Sequence, residues 1–69
     1  MSNRLAIYYF LRHNYLMDSD KWFRIREVAS AVNLSVDRTR KHLSVLALKG
    51  EVETRVEGWC NVYRARVGR

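Results

Sequence analysis

The sequence contains no proline, a single cysteine and only three glycines in 69 residues. Without a proline-rich, serine-rich or repetitive stretch, nothing divides the chain, and residues 1–69 are expected to form one domain with a small core, burying about 60% of the unfolded surface. Cys60 has no second cysteine to pair with, so an internal disulfide and a stapled secreted scaffold are excluded, and a reducing, cytoplasmic setting is expected. It reads as a small strand residue rather than a redox switch. Met1-Ser2-Asn3 lacks the charged-then-apolar layout of a signal peptide. The longest apolar run, Leu5 to Leu11, is far short of the roughly 20 residues that span a bilayer. With glycine only at Gly50, Gly58 and Gly68, there is no phosphate-cradling loop. His13, His42 and Cys60 are too scattered for a metal centre, and no nucleophile–base pair stands out. The expectation is a non-enzymatic protein with no cofactor, metal, membrane or small-molecule substrate.

What is abundant is positive charge. There are 13 Lys and Arg against 7 Asp and Glu, a formal net charge of +6. Hydrophobic residues at 48% and charged residues at 29% are ordinary for a folded domain. A folded domain this basic suits a polyanion, nucleic acid before an anionic membrane surface.

Residues 3–17 have helical periodicity, with Ile7, Phe10, Leu11 and Met17 on one face and Asn14 among them. Ser2 or Asn3 is placed to cap this helix, and Asp18-Ser19-Asp20 to stop it. Lys21-Trp22-Phe23-Arg24-Ile25 suits a brief strand. A second helix is expected over 26–32, with Val28, Ala29 and Val32 inward and Asn33 in the left-handed conformation at its end. Ser35 then caps a third helix over about 36–49, Asp37 complements its dipole, and Gly50 ends it. Residues 51–55 and 60–66 are rich in β-formers around Val56-Glu57-Gly58-Trp59, a hairpin. Val67-Gly68-Arg69 is expected to fray. The fold class is α+β, three helices on a small antiparallel sheet, with the segment around Trp22 as a third strand because a lone hairpin is not stable in water.

Val28 to Gly50 is the informative stretch, because a short helix, the turn Asn33-Leu34-Ser35 and a longer helix make a helix-turn-helix. The spacing Leu34-Ser35, His42-Leu43, Leu46 and Lys49-Gly50 resembles the winged helix-turn-helix family of bacterial transcription regulators. The hairpin over 51–66 matches the family's wing. Ile7-Tyr8-Tyr9-Phe10-Leu11-Arg12-His13-Asn14 is similar to the first helix of the small fimbrial-operon regulators of the Pap and Fae type. The resemblance implies sequence-specific binding of double-stranded DNA for transcriptional regulation, with the third helix in the major groove.

The residues of the third helix point the same way. Thr39, Leu43 and Leu46 form its buried stripe, flanked by Val36 and His42, while Asp37, Arg38, Arg40, Lys41 and Ser44 occupy the opposite arc. Arginine takes guanine bidentately, and lysine serves bases or phosphates. The alternative is that these charges only solvate the helix. Arg24 and Arg26, at the start of the second helix, are placed to clamp a phosphate or simply face water. Thr39 sits where the resemblance implies an aliphatic core residue, and is expected either to bond back to a carbonyl one turn earlier or to loosen the packing. The wing tip carries Glu57 where a basic residue is usual. Arg55 and Trp59 flank it as candidate DNA contacts, although a hairpin tryptophan more often packs across the strands. Arg64, Arg66 and Arg69 have no acidic neighbour after Glu57 and add a basic end.

A second apolar line on the first helix, Leu5, Tyr9 and Leu16, cannot face the same core as Ile7 and Leu11. It suits a homodimer or a partner protein, and Val45 and Leu48 on the exposed side of the third helix raise the same question. The alternative is a half-exposed, tyrosine-rich surface. Two other readings stay open. One is a winged helix used as a protein-interaction module. The other is RNA binding, with Trp59 and Tyr63 as stacking platforms.

Overall fold

Ser2 starts the first helix, its Oγ accepting the Leu5 N–H at 3.1 Å. The computed structural model describes residues 2–67. Met1, and Gly68 and Arg69 of the expected frayed end, lie outside the described residues. Among the described residues the elements run α1 (Asn3–Met17), β1 (Phe23–Arg24), α2 (Ile25–Val32), α3 (Val36–Leu48), β2 (Val52–Glu57) and β3 (Cys60–Ala65).

Local chemistry sets each boundary. Asp18 closes α1 through its N–H to the Asn14 carbonyl at 2.8 Å, and its carboxylate accepts the Asp20 N–H at 3.1 Å to turn the chain. The expected strand over 21–25 shrinks to Phe23–Arg24, because Ile25 already begins α2. Glu27 reaches back to the Arg24 N–H at 2.8 Å, fixing that earlier start. Asn33, at φ 58 and ψ 48, ends α2, and Leu34 N–H bonds the Ala29 carbonyl at 3.0 Å. Ser35 Oγ accepts the Arg38 N–H at 3.2 Å and opens α3. Gly50, at φ 79, closes it, with Glu51 N–H on the Leu46 carbonyl at 3.0 Å and Lys49 as the cap rather than the last helical residue.

The sheet order is β1-β3-β2, antiparallel throughout. The first hairpin strand starts at Val52 and runs on to Glu57, two residues past its expected end, and the second stops at Ala65, one residue short. Val52 pairs with Ala65 and Glu57 with Cys60, so only Gly58 and Trp59 form the turn. Alternation gives the sheet two faces. Phe23, Val52, Tyr63 and Ala65 join Ile7, Leu11, Val28, Leu43 and Leu46 in the core. Trp22, Arg24, Glu53, Arg55, Val62 and Arg64 belong to the outer face. Val62 is buried there, paired with Arg24 on one side and Arg55 on the other, while Arg55 and Arg64 stack on the Trp22 ring at 4.2 and 4.4 Å.

Two core expectations change. Met17 is 75% exposed, because at about 100° per residue it lies roughly 80° off Ile7 and beyond the last packed turn. Val45 is half-buried, whereas Leu48 is exposed as expected. Thr39 is fully buried, and its Oγ donates to the Ser35 carbonyl at 2.8 Å, so its hydroxyl is satisfied inside the core. Asn14, half-buried, likewise donates to the Phe10 carbonyl at 2.8 Å.

Candidate nucleic-acid interface

The burial of Thr39, Leu43 and Leu46 fixes the rotation of α3. The opposite arc, with Asp37, Arg38, Arg40, Lys41 and Ser44, is exposed. Arg40 Nη1 pairs with Asp37 at 3.0 Å in an exposed contact one turn apart. Arg38 and Lys41 make no ion pair among the described residues. His42 is half-buried at the flank of the stripe, as its phase implies.

Arg24 and Arg26 come to the same side of the molecule. Together with Glu27 they line an open cleft that Arg40 reaches from α3 and that Cys60, Asn61 and Tyr63 line from β3. The cleft thus joins the start of α2, the middle of α3 and the first half of β3, which begins at the turn of the wing. Neither Arg24 nor Arg26 makes an ion pair among the described residues. Glu27 already serves the α2 N-terminus through Arg24 N–H. Asn61 was not a sequence candidate. Only the pairing of β3 with β1 and β2 brings it beside the arginines.

The wing differs from expectation. Arg55 is held by Glu57 at 3.0 Å and stacked over Trp22, which turns it along the outer face of the sheet. Trp59 does not pack across the strands: it is fully exposed. Gly58 at φ 65, followed by a residue without positive φ, fits a two-residue turn with glycine first, and a side chain in the second turn position has no cross-strand partner. Val56 is also 69% exposed, so the wing tip presents two apolar side chains on either side of the exposed Glu57. Cys60, beside it, is exposed.

Arg64 is not part of a free basic end. Its guanidinium bonds Glu53 at 2.6 Å and the Ser19 carbonyl at 2.7 Å and lies over the Tyr15 and Trp22 rings. Glu53 precedes Glu57 in sequence, but antiparallel pairing sets it directly opposite Arg64. Arg66 is exposed, and Arg69 lies outside the described residues. Tyr63 is buried in the core, which removes it as a stacking platform for RNA. On α1, Leu5, Tyr9 and Leu16 are 44%, 49% and 62% exposed, away from the core face.

Among the described residues no helix is long and apolar enough to cross a membrane, and no group of three or more His, Cys, Asp or Glu side chains could hold a metal ion. Neither a family model nor a curated protein matches the sequence. Among solved structures, the chain is similar to the homodimeric winged helix-turn-helix DNA-binding domain of a possible ArsR-family transcriptional regulator from Mycobacterium bovis, with a TM-score of 0.71 and 25% sequence identity. The likeness covers 91% of this chain and 52% of that one, so the chain spans about half the length of its neighbour. The fold is therefore a winged helix, with α2 and α3 as the helix-turn-helix and β2–β3 as the wing.

Proposed function

We propose that the protein binds duplex DNA and regulates transcription, with α3 in the major groove. The observation that carries this is the outward arc of α3. Arg38, Arg40, Lys41 and Ser44 stand exposed together, and Arg40 shares one cleft with Arg24 and Arg26. In this reading Arg40 reads a base edge, helped by Ser44, while Arg38, Lys41, Arg24 and Arg26 hold phosphates. Asp37 orients Arg40. Arg55 contributes little charge at the wing because Glu57 neutralises it, and Trp59 supplies an apolar wing contact. The DNA-binding title of the similar Mycobacterium bovis domain supports the reading. The role is binding and involves no catalytic step.

A homodimer formed through Leu5, Tyr9 and Leu16 of α1 completes the proposal. The exposed line on α1 supports it, as does the homodimeric state of that neighbour. Two copies would present two α3 helices to half-sites about 34–36 Å apart. The narrower kinship with fimbrial-operon regulators rests on residues 7–14 alone, and the Mycobacterium bovis domain does not support it.

A second reading is favoured by the wing. Its tip exposes Val56 and Trp59 beside the acidic Glu57, and its arginine is tied down, which suits a protein partner better than a phosphate. A gel shift on mixed-sequence duplex separates the two. DNA binding gives a retarded complex at about 50 mM salt that is largely lost at about 200 mM. No complex at the lower salt overturns DNA binding and leaves the protein-interaction module.

A further inference from the structure

The exposed line on α1 has a fourth member. Arg12 is exposed and stands between Tyr9 and Leu16. Leu5, Tyr9, Arg12 and Leu16 follow one another at steps of four, three and four residues, the spacing of a coiled-coil seam. We propose that α1 pairs with α1 of a second copy in an antiparallel, two-fold arrangement, with Leu5 against Leu16 of the second copy and Tyr9 against its Arg12. This rests on the homodimer proposed above and gives it an orientation and a register.

The seam is self-complementary only in that direction. A two-fold axis crossing α1 midway between positions 10 and 11 brings together residues equally far from it, and each contact then occurs twice. The ends of the seam meet leucine on leucine. At its centre, the Tyr9 ring meets a guanidinium, an attractive cation–π pair. A parallel pair would instead set Arg12 against Arg12 in an apolar seam, leaving two like charges partly desolvated and unpaired. Arg12 therefore acts as the single polar seam residue that selects orientation at a cost in affinity. The core is untouched, because Ile7 and Leu11 occupy the other side of α1. One seam of a 15-residue helix is small beside the roughly 1,200–2,000 Å² of a stable complex, so free chains associate weakly and a duplex with two half-sites strengthens the pairing.

The test is disulfide trapping in a Cys60→Ser background, which removes the only native thiol. Chains carrying Leu5→Cys and chains carrying Leu16→Cys are oxidised separately and as an equimolar mixture, with circular dichroism to confirm the fold. The antiparallel register gives covalent dimer in the mixture and little from either chain alone. Dimer from each chain alone overturns the orientation. No covalent dimer in any sample, with the unmodified chain dimeric in sedimentation, overturns α1 as the interface. A chain that sediments as a monomer both free and on a two-half-site duplex overturns the homodimer itself, while a gel shift on the same samples scores DNA binding separately. A second measurement checks the central pair. Tyr9→Arg should weaken association by about tenfold, and Tyr9→Arg with Arg12→Tyr should recover most of the loss. Failure of the exchange to recover association contradicts the pairing.

Discussion

Arg40 Nη1 meets Asp37 Oδ1 at 3.0 Å on the outward face of α3, and both side chains stay mostly open to water. An exposed pair one turn apart contributes little to stability, so the guanidinium is steered rather than captured. Asp37 also stands in the first turn of α3, where its charge favours the helix dipole. The same charge opposes any phosphate drawn to that face.

Asp37→Asn should therefore raise affinity for any duplex by about fivefold at low salt, the equivalent of roughly 1 kcal/mol between charges about 4 Å apart in water. It should also lower helix stability by about 0.3–1 kcal/mol. Anisotropy titrations and a thermal melt measure the two effects. Unchanged affinity would place Asp37 away from the backbone of the duplex.

Arg64→Ala should destabilise the fold by about 1–3 kcal/mol and leave duplex affinity within about twofold. Arg64 joins β3 to Glu53, to the Ser19 carbonyl and to the Trp22 ring on the outer face of the sheet, and it does not line the Arg40 cleft. Urea unfolding measures the loss. A variant as stable as the parent would show that the contacts merely replace water.

Thr39→Val should change stability by less than about 1 kcal/mol, although the site is fully buried. The Ser35 carbonyl that accepts the Thr39 hydroxyl also accepts the Thr39 N–H at 3.0 Å, so losing the hydroxyl orphans nothing. A urea midpoint far below the parent's would show that the hydroxyl holds the α3 N-terminus in place.

Trp59→Ala should leave the unfolding free energy within about 0.5 kcal/mol, as for an ordinary surface change. Acrylamide quenching should fall sharply, because Trp59 is the fully exposed indole and Trp22 lies beneath two guanidiniums. Quenching that survives the substitution would mean that Trp22 is open to solvent.

The helices were legible because their ends carry local signals. Ser2, Asn33, Ser35 and Gly50 each act within a few residues of the chain, and periodicity orients the face between them. The start of α2 was missed by one residue because its cap is Arg24, whose contribution is a backbone N–H to Glu27 rather than a capping oxygen. The outer face of the sheet was not legible. Glu53 and Arg64 are eleven residues apart, and Trp22 lies just before β1 while the arginines that cover it stand on β2 and β3. Such contacts depend on strand register, which a one-residue slip would reverse. The outward arc of α3 followed from phase alone, whereas its junction with Arg24, Arg26 and Asn61 needed the assembled sheet.

The most direct test of α3 as the reading element is the affinity of the parent and of Arg40→Ala for a duplex selected from a random library and for unselected duplex, each over a range of salt. Four cations, Arg24, Arg26, Arg38 and Lys41, are free of ion pairs among the described residues, so the log–log salt slope should be about −4 per chain. Arg40→Ala should weaken the selected site by about 1–3 kcal/mol and unselected duplex hardly at all. A slope near zero, or equal losses on both duplexes, would contradict base reading by α3.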